Sequence, residues 1–198
     1  MTSIVVVTAG TSVPSSSRML GERLGEAASA ELVKAGALTG VTHLELRTLA
    51  ADLANQLATR VPSARLREAF DAVCTADGVI AVTPVFNGSY SGLFKLFFDG
   101  LDEGVMKGRP VLLAATGGTA RHSLAIDHAM LPLFFYLKAL VAPHAVFAAT
   151  KDWGTPGGKL DRRIARAAEE FARLVLAATP AKRDDDFEVT DFSELLGG

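Results

Sequence analysis

Short apolar runs of strand length alternate along this chain with longer segments of helical period. Ile4-Val5-Val6-Val7, Gly78-Val79-Ile80-Ala81-Val82 and Pro110-Val111-Leu112-Leu113-Ala114-Ala115 are apolar throughout, the pattern of strands covered on both faces in a parallel sheet. The periodicity predicts strands at about 3–9, 41–47, 77–83, 109–116 and 144–150, and helices at about 16–36, 62–75, 91–104, 121–140 and 160–178. No internal repeat interrupts this βα alternation. Right-handed crossovers and short connections then make a doubly wound five-stranded parallel α/β sheet, with helices on both faces, the economical solution. Residues 48–62 lack a clean period and are expected to form a lid near the ligand edge, and 151–159 read as a Gly/Pro loop. Residues 1–180 are expected to form one domain, followed by an acidic surface tail over 181–198 that carries Asp184-Asp185-Asp186.

Candidate chemistry concentrates just after three of the strands. Thr83-Pro84-Val85-Phe86-Asn87-Gly88-Ser89-Tyr90-Ser91-Gly92 follows the third. Pro84 fixes one φ angle, and Gly88 and Gly92 permit close backbone approach, so the loop can present N–H and C=O groups to a flat heteroaromatic ligand such as a flavin. The same residue types build ordinary strand-to-helix turns, and by itself this loop favours that plainer reading. Two further loops shift the balance. After the first strand comes Thr8-Ala9-Gly10-Thr11-Ser12-Val13-Pro14-Ser15-Ser16-Ser17-Arg18. One hydroxyl suffices to cap a helix, whereas this loop carries Thr11, Ser12, Ser15, Ser16 and Ser17. The surplus points to a phosphate monoester at the helix N-terminus, with Arg18 as a counter-charge. Neither Gly-x-x-x-x-Gly-Lys-[Ser/Thr] nor Gly-x-Gly-x-x-Gly occurs here, which favours a single terminal phosphate, as in FMN, over a nucleoside triphosphate or dinucleotide. The third loop, Thr116-Gly117-Gly118-Thr119-Ala120-Arg121-His122, pairs two glycines that let backbone amides approach a ligand. In an open α/β sheet the three loops converge at the carboxyl edge if strands one, three and four are neighbours.

These residues resemble the NAD(P)H-dependent FMN reductases of the flavodoxin-like superfamily. The resemblance rests on Ala9-Gly10-Thr11 with Ser15-Ser16-Ser17, on the Thr83 to Gly92 loop with Lys95 and Asp99, and on Ala115 to His122 with Ala125-Ile126-Asp127-His128-Ala129. It implies the flavodoxin-like strand order 2-1-3-4-5, FMN with NADPH or NADH as cofactors, and delivery of reduced FMN to a separate flavin-dependent monooxygenase. Phe86 is then the candidate for packing on the ring, Pro84, Val85, Asn87, Gly88 and Ser89 line the loop, and Arg121 is the candidate partner for a pyridine-nucleotide phosphate. The likeness is nearer to reductases partnered with luciferase-like monooxygenases than to the alkanesulfonate-linked branch. That branch resembles the pattern with Tyr where this chain has His128, so its helix irregularity and the role of that irregularity in transfer are not carried over from the resemblance.

A flavodoxin-type electron carrier and an FMN-dependent quinone or azo reductase stay open on the same fold. Carriers of that type are usually strongly acidic, whereas 20 basic residues stand here against 22 acidic ones, a net charge of −2. The near balance also offers no electrostatic case for nucleic acid or an anionic membrane. A chain of 198 residues, 49% hydrophobic, suits one domain with a full core. Cys74 is alone, which excludes an intrachain disulfide and a cysteine metal cluster, and its spacing with Leu66, Phe70 and Val73 makes it a helix core residue. Met1-Thr2-Ser3 runs into a strand with no basic leader and no long apolar span, so a cytoplasmic protein is expected.

No metal site is expected, because His122 and His128 are six apart and lack helical ligand spacing. His43 and His144 read as structural. Acyl transfer is disfavoured by the absence of Gly-x-Ser-x-Gly, and no catalytic acid–base residue is assigned, since hydride chemistry on a flavin needs none. Lys95 precedes Asp99 by four residues, the less favourable order within a helix, so a contact to another element or subunit is expected. Asp127 either orients Arg121 or is a solvated helix charge. The segments Leu93 to Leu101 and Leu131 to Leu137 are apolar on more than one face, which predicts a subunit interface in a homodimer or homotetramer.

Overall fold

The computed structural model describes residues 1–154 and 157–178. The acidic tail expected over 181–198, and Thr155 and Pro156 of the Gly/Pro loop, lie outside these described residues. In chain order the elements are β1 (Thr2–Thr8), α1 (Ser16–Lys34), β2 (Thr39–Glu45), α2 (Ala50–Thr59), α3 (Ala64–Thr75), β3 (Gly78–Phe86), β4 (Ser89–Tyr90) and α4 (Gly92–Asp99). There follow β5 (Pro110–Gly117), a π-turn at Ile126–Met130 leading into α5 (Leu131–Tyr136), β6 (Leu140–Val141), β7 (Val146–Ala149) and α6 (Lys159–Ala177).

The sheet runs β2-β1-β3-β5-β6, with β7 also paired to β5. All of these pairs are parallel; only β4 is antiparallel, to β3. This is the expected 2-1-3-4-5 order with its fifth lane divided. Leu140 and Val141 pair with Pro110 and Val111, whereas Val146 to Ala149 pair with Ala114 to Gly117. The strand expected over 144–150 is β7, and β6 is an additional short piece before it; Pro143 sits between the two and has no N–H to give the ladder, so they do not join into one strand.

Successive strand residues serve opposite layers, as the two-residue pleat requires. Ile4, Val6, Ile80, Val82, Leu112 and Ala114 pack under α1 and α6 in one core. Val5, Val7, Val79, Ala81, Val111 and Leu113 pack on the other face, against Phe70 of α3, Phe97 of α4 and Phe134 of α5. Because β1 leads to β2 on one side while β3 and β5 lie on the other, the chain changes direction between β1 and β3, and a crevice opens at their carboxyl ends.

Three helical expectations need correction. Residues 48–62 are not an irregular lid: Leu46, Leu49 and Leu53 recur at i, i+3 and i+7, are all buried, and seat a 3₁₀ turn and α2 against the sheet. The helix expected over 91–104 stops at Asp99, where Gly100 lies so close to Phe70 that a Cβ there would sit 2.7 Å from its ring. The helix expected over 121–140 is broken into a 3₁₀ turn at Ala120–His122, the π-turn and α5. In the π-turn Leu131 N–H bonds to the Ile126 carbonyl five residues back, Pro132 follows directly, and Lys138 in the left-handed region (φ 58°) ends α5. A helix irregularity, which the resemblance left unassigned, is present here, with His128 itself exposed on it.

The aromatic face of α4, expected at a subunit interface, is covered within this chain. Phe94, Phe97 and Phe98 are buried within this chain, with ring centroids 4.7 Å apart for Phe94–Phe98 and 4.9 Å for Phe98–Phe134. Lys95 pairs with Asp99 inside the helix at 2.5 Å, not with another element. The exposed apolar side chains of this region are instead Leu124, Phe135, Tyr136 and Leu140. Cys74 is only half-buried at the end of α3, next to the core residue Val73. Arg109 donates to the carbonyls of Cys74, Ala76 and Val105 there, and its burial lowers its pKa from the usual arginine value.

Candidate functional site

The β1–α1 loop starts with a strand-to-strand tie, Ala9 N–H to the Val82 carbonyl at 2.9 Å. Ser15 then adopts extended backbone as the N-cap of α1, and its hydroxyl accepts the Arg18 N–H at 3.2 Å. Gly10 lies directly beneath this cap: a Cβ there would stand 2.0 Å from Ser15 Oγ. Ser12 donates to the Pro14 carbonyl at 3.0 Å, and the buried Ser17 hydroxyl bonds Thr116 Oγ1 at 2.8 Å. Three of the five loop hydroxyls thus have internal roles. Thr11 and Ser16 remain, exposed at the mouth of the crevice, where the first-turn amides of α1 have no intrahelical acceptor. Arg18 is not their counter-charge. It points along the outside of α1, its Nε to Glu22 at 2.8 Å and Nη1 to Glu45 at 3.4 Å, and both carboxylates raise its pKa.

The second wall is a hairpin, not a loop. β3 continues three residues past its expected end to Phe86 and turns back through Asn87 (φ 50°) and Gly88 (φ 82°), so that Phe86 pairs Ser89 and Val85 pairs Tyr90. Two left-handed residues at a two-residue connection are what the Asn-Gly pair favours, because their twist matches the flanking strands. The buried Thr83 hydroxyl donates to the Pro84 carbonyl at 2.9 Å and accepts the Ser91 N–H at 3.0 Å, fixing the hairpin to the start of α4. Pro84, Val85 and Phe86 line the crevice; Asn87, Gly88 and Ser89 lie at the hairpin tip, outside its lining.

At the end of β5, Thr116, Gly117 and Gly118 complete the floor. A Cβ at Gly117 would press on the Phe147 ring at 2.9 Å, whereas one at Gly118 would meet nothing within 4 Å, leaving a bare backbone edge beside the opening. Thr119 Oγ1 accepts the Arg121 N–H at 3.3 Å and starts the 3₁₀ turn; Arg121 is exposed beyond the crevice, as is Asp127 on the π-turn.

Together these segments enclose an open cleft of about 240 Å³. Ala148, Thr150 and Trp153 add a wall that the sequence reading did not identify. Its signal was positional: β7 pairs with the end of β5, so whatever follows β7 arrives at the same sheet edge. No ionisable side chain lines the cleft among the described residues. An anion there is held by the helix end and neutral hydroxyls, and a flat ring by backbone groups.

The match to known proteins agrees with this geometry. The family model for NADPH-dependent FMN reductases matches residues 2–154. An FMN reductase (NADPH) of Pseudomonas aeruginosa is 37% identical over 174 residues, covering 86% of this chain and 91% of that protein. The NADH-dependent FMN reductase SfnE of Pseudomonas putida is 39% identical over 176 residues, with 86% and 91% covered. The crystal structure of an oxidoreductase from Corynebacterium diphtheriae superposes with a TM-score of 0.87 at 44% identity, over 90% of this chain and 99% of that one. With its cleft at the β1–β3 crevice and its match from the first strand to Gly154, the chain belongs to the NADPH-dependent FMN reductase family.

Proposed function

We propose that this protein reduces FMN at the expense of NADPH or NADH and releases the reduced flavin to a separate monooxygenase. One observation carries the reading: an uncharged cleft joins a helix N-terminus with two unpartnered hydroxyls to a bare glycine edge. The flavin, when bound, supplies the hydride-accepting ring. Thr11, Ser16 and the first-turn amides of α1 hold its phosphate; Pro84 to Phe86 and the Gly117–Gly118 backbone side the ring and keep water from it. Neutral donors alone hold an anion less strongly than a site that adds a lysine or arginine ion pair, which suits a flavin that must depart after each turnover. Arg121, exposed just past Gly118, is placed for a phosphate of the pyridine nucleotide.

The exposed Leu124, Phe135, Tyr136 and Leu140 support a homo-oligomer assembled through α5 and its flanks. No helix among the described residues is long and apolar enough to cross a membrane, and a single cysteine suits our reading of a cytoplasmic enzyme. The test is NAD(P)H oxidation by the purified protein with and without added FMN, alongside its absorption spectrum. We expect turnover that requires added FMN. Stoichiometric tight flavin without FMN-dependent turnover would overturn the reading in favour of an electron carrier.

A further inference from the structure

Trp153, the chain's single tryptophan, lines the cleft from the segment that follows β7. Its position is fixed from two sides. Arg23 of α1 lies over the indole, with its guanidinium carbon 5.9 Å from the ring centroid, and Arg23 is itself paired with Asp161 in the first turn of α6. Asp161 also accepts the Gly157 N–H at 2.7 Å. On the other side Asp152 accepts the Ala149 N–H at 2.9 Å and pairs with Arg163 at 2.9 Å. The backbone before and after the indole is thereby pinned to β7, α1 and α6.

The same contacts say which end of the cleft the indole occupies. Side chains of a helix lean toward its N-terminus, so the Arg23 guanidinium covers the turn before its own Cα, toward Ser16 and Ser17. The ring-facing elements, the β3–β4 hairpin and Gly118, come from β3 and β5, whereas the indole is tied to α1, the helix that the serine loop opens. The indole therefore stands beside the serine loop, at the end where a terminal phosphate would sit.

Resting on the FMN reading above, we propose that Trp153 is the specificity-determining wall that ends the cleft just beyond the phosphate subsite. FMN stops at one phosphate monoester, while FAD continues from that phosphate through a second one into adenosine and has to leave the cleft past this point. A clamped indole blocks that exit and restricts the site to flavin mononucleotide. A small side chain opens it.

The test measures dissociation constants of FMN, FAD and riboflavin by flavin fluorescence for the wild type and for Trp153→Ala, Trp153→Phe and Arg23→Met, with circular dichroism as the check on folding. The wild type is expected to prefer FMN. Trp153→Ala should move the FAD-to-FMN affinity ratio toward FAD by about tenfold or more. Trp153→Phe keeps a flat wall and should hold the wild-type ratio, and Arg23→Met, which releases the clamp, should fall between. In the wild type, FMN should also quench the emission of the single tryptophan. An unchanged ratio in Trp153→Ala, or a selective loss of FAD, refutes the wall while leaving FMN binding intact; a wild type that binds none of the three flavins refutes the FMN reading itself. Should Trp153→Ala fail to fold, an Arg23→Met ratio equal to the wild type refutes the wall.

Discussion

Replacing Ser17 by Ala separates two roles that the sequence alone merges, phosphate donor and internal tie. Ser17 and Thr116 are 2% and 5% exposed, and their hydroxyls meet at 2.8 Å across the gap between α1 and β5. Removing one hydroxyl forfeits a bond worth about 0.5–1.5 kcal/mol net and leaves the other buried without a partner, so the single variant should lose about 1–3 kcal/mol. In a domain of this size that is a fall in Tm of roughly 2–4 °C per kcal/mol. Thr116→Val, nearly the same shape, should lose a similar amount. The double variant removes both polar partners and should recover most of the loss, because neither hydroxyl is then stranded. Urea unfolding of the four proteins in the absence of flavin gives the coupling energy directly. If Ser17→Ala leaves the unfolding midpoint unmoved but weakens FMN, the hydroxyl serves the phosphate and the tie has no energetic weight; if the two single losses simply add in the double variant, the reasoning from pairing is wrong.

Other outcomes follow from contacts described above. Gly10→Ala drives a methyl group into the Ser15 hydroxyl and should displace the α1 cap, costing about 0.5–2 kcal/mol in thermal unfolding and weakening FMN in the same protein. Phe98→Asp buries an unpaired charge in the aromatic core and should abolish folding, whereas Phe135→Asp should keep the circular dichroism of the wild type and shift the sedimentation coefficient to that of the monomer. Asp161 is held below its ordinary value of 3.8 by the Arg23 guanidinium and then by the Gly157 N–H. A depressed carboxyl stabilises fully above its unfolded value and loses that contribution as the pH falls below it, so Trp153 emission should be flat from about pH 8 to about pH 5 and change only below about pH 4.

Much of the architecture was legible because it rests on strong local patterns. Runs such as Ile4 to Val7 and Val79 to Val82 are apolar on both pleat faces, and only a sheet covered on both sides accommodates them. What escaped depended on contacts distant in sequence or on signals read too broadly. Asn87-Gly88 reads in sequence as part of a rigid polar loop, yet the pair by itself specifies a tight hairpin. The Leu46, Leu49, Leu53 spacing of α2 is helical, but the alanines around it dilute the contrast between faces. At the site, the serine loop carries more hydroxyls than a cap needs. Ser12 and Ser15 are taken up locally, but Ser17 is taken up by Thr116, 99 residues on, and no local pattern encodes that. Arg18 adjoins the serine loop in sequence, whereas its partners are Glu22 on the outer side of α1 and Glu45 at the end of β2. Trp153 became visible only when β7 was placed beside β5.

The division of the fifth lane has a consequence for how copies of this chain can meet. A sheet edge recruits foreign strands when it offers a long, regular row of unpaired amides and carbonyls. Here that margin is cut into pieces of two and four residues, with a proline at the break. Neither piece is long enough to template a stable ribbon, and Val146, Phe147, Ala148 and Ala149 are buried within this chain, so interruption and cover together close the sheet on that side. Growth of ordered aggregates from this flank is thereby disfavoured, because no long regular row of backbone groups is offered to an incoming strand.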